Sequence, residues 1–231
     1  MQKSAPSNVT FGANLAISRH HSVGLTIALL LSLIVFPGCI GTAAQFMYVL
    51  FGHKTKAEFA EFKGKRVAIV TLSDAAAFGP DTVSETLSRA ITMHLVKNVK
   101  KIDIVPQGQV ASWMDENGFG APDPVAIGQG VDADYVLVVN ISDYSIKDGK
   151  TLYKGRCNYK FDVYDIKENG RLTFGRGPLE FVFPRDGRPA IESSEAKFEA
   201  FYLARLSDRI AKSFYEYDST EDAAIDSQLM P

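Results

Sequence analysis

The chain has few of the residues that build most catalytic and metal centres. Only two cysteines, Cys39 and Cys157, occur in 231 residues. A disulfide framework is therefore excluded, and if Cys39 is modified or removed, Cys157 has no partner within the chain. Of four histidines, three (His20, His21 and His53) lie in or beside an N-terminal apolar run. A His-based metal site or triad, which needs several converging side chains, is excluded on that count. The formal net charge is -2, so there is no basic excess to favour nucleic acid as a partner. The chain has neither a Gly-x-Ser-x-Gly elbow nor a phosphate-binding loop of the Gly-x-x-x-x-Gly-Lys-Ser/Thr type. No cofactor is expected, and Gly175-Arg176-Gly177 is too short a match to mean anything.

A more local absence is the informative one. No Asp, Glu, Lys or Arg occurs from Ser22 to Gly52. Within that run the apolar core Val23–Phe36 is about 14 residues long, the length of a signal h-region. Pro37 removes a backbone donor and Gly38 adds chain entropy, so helix tendency ends there. Gly38 also supplies the small residue that a signal peptidase needs before a cut. Cys39 follows directly. This Leu33–Gly41 stretch, LIVFPGCIG, resembles the lipobox of bacterial lipoproteins, with Phe36 where leucine is usual and Pro37 where a small residue is usual. The resemblance implies that the Cys39 thiol is joined to diacylglycerol and that the chain is cut before it. A second reading stays open. The run continues through Ile40, Phe46, Val49 and Phe51, and Val23–Phe51 exceeds the roughly 20 apolar residues that span a bilayer. A plain secreted form is the third reading, and all three place residues after about 52 outside the cytoplasm if Arg19 stays inside with Lys3.

This divides the chain into a signal peptide or membrane anchor over 1–38, an apolar then charged connector over 39–63, a globular domain over 64–217, and an acidic tail over 218–231 that is expected to be disordered. Within the domain, Arg66–Leu72 reads as a buried strand. A helix opens near Thr82, where Thr82 and Glu85 have capping-box spacing. Its apolar face is Val83, Leu87, Ala90, Ile91, His94 and Leu95. Lys101–Val105 is a short strand. Gln109–Asn117 and Pro124–Gly130 are short helices, the second with proline suitably placed in its first turn. Ala133–Ile141 is apolar without alternation, as in a central strand buried on both faces. After a turn at Lys147–Lys150, period two sets Tyr153, Cys157, Tyr159, Phe161 and Val163 against Lys154, Arg156, Asn158, Lys160 and Asp162. Asn169-Gly170 accepts positive φ and makes a hairpin. The return strand carries a break at Gly175-Gly177-Pro178, followed by a loop over Pro184–Pro189. A last helix runs from Ser193 or Ser194 to about Tyr217. The fold class is α/β, a mixed sheet of about five strands with helices packed on it, preceded by the N-terminal signal or anchor segment.

The phrases RVAIVTLSD, TVSETLSRAITMHL, KIDIVPQGQVASWM, GVDADYVLVVNISDY and YKFDVYDIKENGRLTF resemble, in that order, a periplasmic α/β domain. It is shared by the N-terminal domain of TolB, the curli-channel lipoprotein, and the outer-membrane lipoproteins that activate penicillin-binding proteins. The likeness covers about residues 64–217. It rests on Gly130-Val131-Asp132-Ala133-Asp134-Tyr135 before the central strand and on Val163-Tyr164-Asp165 with Gly170. It implies binding or assembly work at a bacterial envelope, without a cofactor.

Two function classes follow. One is a membrane-tethered, non-enzymatic binding module, lipidated at Cys39, with an envelope protein as partner. The other is an anchored envelope hydrolase using loop carboxylates such as Asp74, Asp81 and Asp186, which requires at least two of them to converge. Asp162 and Asp165, three apart on a strand, point to opposite faces and make a poor acid–base pair. Asp134 is expected to bond local N–H groups at a turn. His94 and Trp113 read as packing residues, Cys157 as a small buried hydrophobe, and Lys154, Arg156 and Lys160 as a solvated sheet face.

Overall fold

The computed structural model describes residues 54–74, 82–117, 123–150, 152–189 and 194–219, with the backbone alone at 185–189. Cys39, Asp81, Gly118 and residues 220–231 lie outside the described residues. Among the described residues seven strands occur: β1 (Lys54–Thr55), β2 (Arg66–Ser73), β3 (Asp103–Ile104), β4 (Tyr135–Asp148), β5 (Leu152–Asp165), β6 (Arg171–Pro189) and β7 (Tyr217–Asp218). Interspersed among the same residues are four helices: α1 (Thr82–Asn98), α2 (Gln107–Asn117), α3 (Pro124–Gly130) and α4 (Glu195–Ala211). The main sheet has the order β3-β2-β4-β5-β6, and β1 pairs with β7. β2 runs parallel to β3 and β4, whereas β4–β5 and β5–β6 are antiparallel. The expected mixed five-stranded α/β sheet is borne out.

The middle of the sheet is apolar on both faces because helices cover both. Val67 and Ile69 of β2, with Tyr135, Leu137, Val139 and Ile141 of β4, face one core together with α1 and α4. The alternate residues Ala68, Val70, Val136 and Val138 face a second core under α2 and α3. That sandwiching is why Ala133–Ile141 reads as a continuous apolar run, although the strand itself begins at Tyr135 and continues to Asp148. Along β5 the second face opens to solvent, except at its C-terminal end, where Tyr164 still packs on the second core and Asp162 is buried. Cys157, Tyr159, Phe161 and Val163 are buried on the first face while Arg156 and Lys160 are exposed, as period two predicts.

Local capping explains the helix bounds. Asp123 accepts a 3.0 Å bond from the Val125 N–H and starts α3 at Pro124, as expected. Ser194 caps α4, accepting from the Lys197 N–H at 3.4 Å. The β5–β6 turn holds Asn169 at φ 55° and Gly170 at φ 72°, the paired positive values of a hairpin turn.

Three expectations are corrected. Gly175-Arg176-Gly177-Pro178 does not end the return strand, and Pro184–Pro189 is not a loop. β6 runs unbroken from Arg171 to Pro189, with Leu152 opposite Pro189 and register shifts absorbing the irregular stretch. Its prolines are tolerated because β6 is an edge strand, bonded on one side only. The last helix stops at Ala211 rather than near Tyr217, then turns through a 3₁₀ segment, Lys212–Phe214, into β7.

β7 pairs with β1, setting Lys54 opposite Asp218 and Thr55 opposite Tyr217. The Phe59 N–H donates to the Ser213 carbonyl at 2.9 Å. Phe59 and Phe62 then enter an aromatic cluster. Phe62 stacks on Phe214 with ring centres 4.7 Å apart, and Phe59 lies 5.5 Å from Phe174 and 5.8 Å from Tyr135. The charged stretch after Lys54 is thus clamped to the sheet end at which β2 and β4 begin.

Candidate functional site

The sheet face of β5 left open by the helices is wet but internally neutralised. Lys154 pairs with Asp148 at 3.7 Å, Arg156 with Glu180 at 3.6 Å and Lys160 with Asp162 at 2.9 Å. Asn158 donates to Asp143 at 2.7 Å. Each cation of the stripe has its own carboxylate, which leaves little field for an acidic ligand.

Of the three carboxylates proposed for hydrolysis, only Asp74 has its side chain among the described residues. Asp74 accepts the Asp143 N–H at 2.9 Å. Asp81 lies outside the described residues, and only the backbone of Asp186, within β6, is described. Asp165 closes the hairpin turn by accepting from the Lys167 and Glu168 N–H groups at 2.9 and 3.1 Å. These carboxylates saturate backbone donors that would otherwise go unpaired. No group of three His, Cys, Asp or Glu side chains able to hold a metal occurs among the described residues.

Asp134 corrects another expectation. Its partner is not local: Oδ2 accepts the N–H of Arg66, 68 positions away, at 2.9 Å, and its own N–H donates to the Arg66 carbonyl at 2.7 Å. Lys167 bonds the same carboxylate. Asp134 thus ties the starts of β2 and β4 together. Burial pushes its carboxyl up, but the Lys167 bond and the Arg66 N–H outweigh that and hold it below the ordinary 3.8. The unfolded chain therefore binds this proton more readily. The contribution is complete above the unfolded value and is lost as pH falls through the lower folded one. We predict that Asp134→Ala costs about 1–3 kcal/mol at pH 7, the usual cost of orphaning a buried donor. The gap to wild type should narrow on acidification below the ordinary carboxylate range. Urea unfolding at a series of pH values checks this, and a gap independent of pH would contradict the ionic role.

His94 sits at the edge of α1 with Nδ1 3.8 Å from Asp208. Burial lowers its pKa more than Asp208 raises it, with Lys212 and Lys97 adding to the lowering. Cys157 is fully buried, and burial pushes its thiol up to about 11 against a weaker opposing bond from Tyr202. At neutral pH it is a protonated, inaccessible thiol rather than a nucleophile. Trp113 packs against the second core, its indole lying where a side chain at Gly130 would stand.

One cluster is not visible in the linear sequence. The Gly64 N–H donates to the Lys100 carbonyl at 3.3 Å and the Asp103 N–H to the Lys65 carbonyl at 2.9 Å. These bonds lay the Lys63–Lys65 turn beside the Lys100–Lys101 turn that ends α1. Lys63, Lys97, Lys100 and Lys101 are all exposed, and none makes an ion pair among the described residues. The acids at this end are engaged elsewhere: Asp103 with Arg66, Glu58 with Arg176, Glu216 with Lys54, Asp208 with Lys212, and Glu61 with the Tyr135 hydroxyl. Met93 and Val96, 62% and 57% exposed, continue the Lys97–Lys100 stripe along α1.

No family model matches the chain, and no curated protein matches it. Similar solved structures include bacterial lipoproteins. Lipoprotein GNA1162 from Neisseria meningitidis is 16% identical with a TM-score of 0.42, over 64% of this chain and 99% of that one. The PelC dodecamer from Paraburkholderia phytofirmans is 13% identical with a TM-score of 0.39, over 71% and 96%. The LpoB C-terminal domain from Salmonella enterica is 13% identical with a TM-score of 0.35, over 53% and 86%. All three scores lie below 0.5, and no function passes to this chain from them.

Proposed function

We propose that the protein is a membrane-tethered, non-enzymatic binding or assembly module of the bacterial cell envelope, lipidated at Cys39, with a domain that faces the periplasm or exterior and engages an envelope protein. The observation that carries this reading is the Pro37-Gly38-Cys39 stop at the end of an h-region-sized apolar core. The domain supports it in a second way. Asp74, Asp123, Asp134 and Asp165 are spent on backbone N–H groups, which suits a scaffold better than a reaction centre. No helix among the described residues is long and apolar enough to cross a membrane.

Metabolic labelling with a fatty-acid analogue in a bacterial host, comparing wild type with Cys39→Ser, tests the tether. The expected result is a labelled mature chain that starts at Cys39 by intact mass, with the label lost completely in the variant. An unlabelled full-length chain in the inner membrane would replace the lipid with a single-span anchor.

A further inference from the structure

We propose that the lysine-rich end of the domain, Lys63, Lys97, Lys100 and Lys101 beside the Met93–Val96 stripe, rests on the anionic phospholipid headgroups of the membrane that holds the chain. The inference rests on the tether proposed above. Its first support is charge. The four lysines stand without ion pairs among the described residues; the neighbouring Asp103, Glu58, Glu216 and Asp208 are paired with cations, while Glu61, bonded to the neutral Tyr135 hydroxyl, keeps one negative charge against the four positive ones. A local positive field thus persists on a chain whose net charge is -2. Such a field attracts an anionic leaflet, each lysine adding to the attraction within a Debye length.

The second support is connectivity, and it selects a lipid surface over an acidic protein. β1 is clamped to β7, and Phe59 to Ser213 at the C-terminal end of α4. His94 of α1 meets Asp208 of α4, so both helices end where the chain enters the domain. The uncharged run stops at Gly52, and Lys54 opens β1. The proposed tether point, Cys39, precedes Lys54 by 15 residues, which fully extended span about 50 Å at roughly 3.5 Å per residue, so the tether bounds the distance of this end from the membrane. A tethered domain meets headgroups at a high local concentration, whereas a protein partner must be found by diffusion. Third, Met93 and Val96 are exposed on the same helix as Lys97, one turn before Lys100 and Lys101 in the turn that follows it. Apolar side chains entering the headgroup boundary, with lysines reaching alongside to phosphate, is the pattern of an interfacial helix.

The full-length chain is reconstituted in vesicles of phosphatidylethanolamine with phosphatidylglycerol and, separately, of phosphatidylcholine. It is pulsed with N-hydroxysuccinimide acetate, and acetylation is read lysine by lysine by mass spectrometry. Lys63, Lys97, Lys100 and Lys101 should react at least about threefold more slowly on the anionic vesicles at low salt, and the difference should vanish at high salt. Lys150, in the turn after β4, and Lys197, at the start of α4, lie toward the opposite end of the sheet and should react equally on both. Equal rates at all six lysines overturn the inference. Protection that requires an added envelope extract, regardless of lipid, assigns the patch to an acidic protein and overturns it too. Flotation at high salt before the pulse reads the tether separately: a chain that fails to float refutes the tether, whereas a floating chain with equal rates refutes only the lysine contact.

Discussion

Phe62→Ala will destabilise the domain by about 3–5 kcal/mol, the range for deleting a fully buried aromatic ring. Phe62 has no exposed surface. It stacks on Phe214 at 4.7 Å, lies 5.1 Å edge-on from Phe59 and is 5.8 Å from Tyr135. These partners come from the clamped segment, the 3₁₀ turn and the central strand. The ring therefore joins the entry of the chain to the sheet and to the end of α4. Its neighbours are anchored independently, Phe59 through Ser213 and Tyr135 through β4, so they will not collapse fully into the void, and the cavity adds to the lost transfer energy. Urea unfolding measures the loss as a lower midpoint at unchanged slope. Phe201→Ala, at 37% exposure, is the comparison and should cost far less. Equal losses for the two would mean that Phe62 is not part of the core.

The sequence reveals those features whose causes are local. Period two in Tyr153–Val163 reveals the packed face of β5, because pleating alone sets it. Asp123-Pro124 marks the start of α3, and Asn169-Gly170 marks the hairpin, because the cap and the turn are made by those residues themselves. What remains hidden depends on partners far along the chain. Pro184–Pro189 looks like a loop until Leu152 and Tyr153 are placed beside it as the adjoining strand. The last helix ends at Ala211 because β7 turns aside to meet β1 near the other end of the described chain. Asp134 looks like a turn residue, but its bond reaches Arg66. The lysine cluster is hidden for the same reason. Lys63 and Lys100 are 37 positions apart in the chain, and only the parallel alignment of β2 with β3 sets their turns side by side. Cys39, the most specific signal in the sequence, lies outside the described residues, so biochemistry rather than geometry decides it.

Gly155→Ala is the second large effect, and its cause is steric. Gly155 lies on the packed face of β5 directly beneath Tyr202 of α4. A methyl group there would stand 2.0 Å from Tyr202 Cδ2 and 2.3 Å from Cε2. Ring atoms of a fully buried side chain must then move. The Tyr202 ring is held from three sides: its hydroxyl donates to the Phe181 carbonyl at 2.8 Å, and the Phe181 and Tyr144 rings lie 5.3 and 6.0 Å away. Tyr144 is fixed in turn through its hydroxyl, which donates to Glu199 at 3.1 Å. Moving Tyr202 therefore lifts α4 from the sheet or breaks the Phe181 bond. We expect a loss of about 3 kcal/mol, the upper part of the usual overpacking range, even though the substitution adds one carbon and favours the extended backbone. The intrinsic preference of strands for alanine over glycine is worth under about 1 kcal/mol and has the opposite sign, so the measured direction decides between sterics and propensity. A double-mutant cycle with Tyr202→Ala isolates the contact. Removing the ring relieves the clash, so Gly155→Ala should cost almost nothing in that background, leaving a coupling energy of about 2–3 kcal/mol between adjacent sites. Additive losses would place the strain elsewhere in β5 and would mean that the close approach of α4 to the sheet does not depend on the missing side chain at position 155.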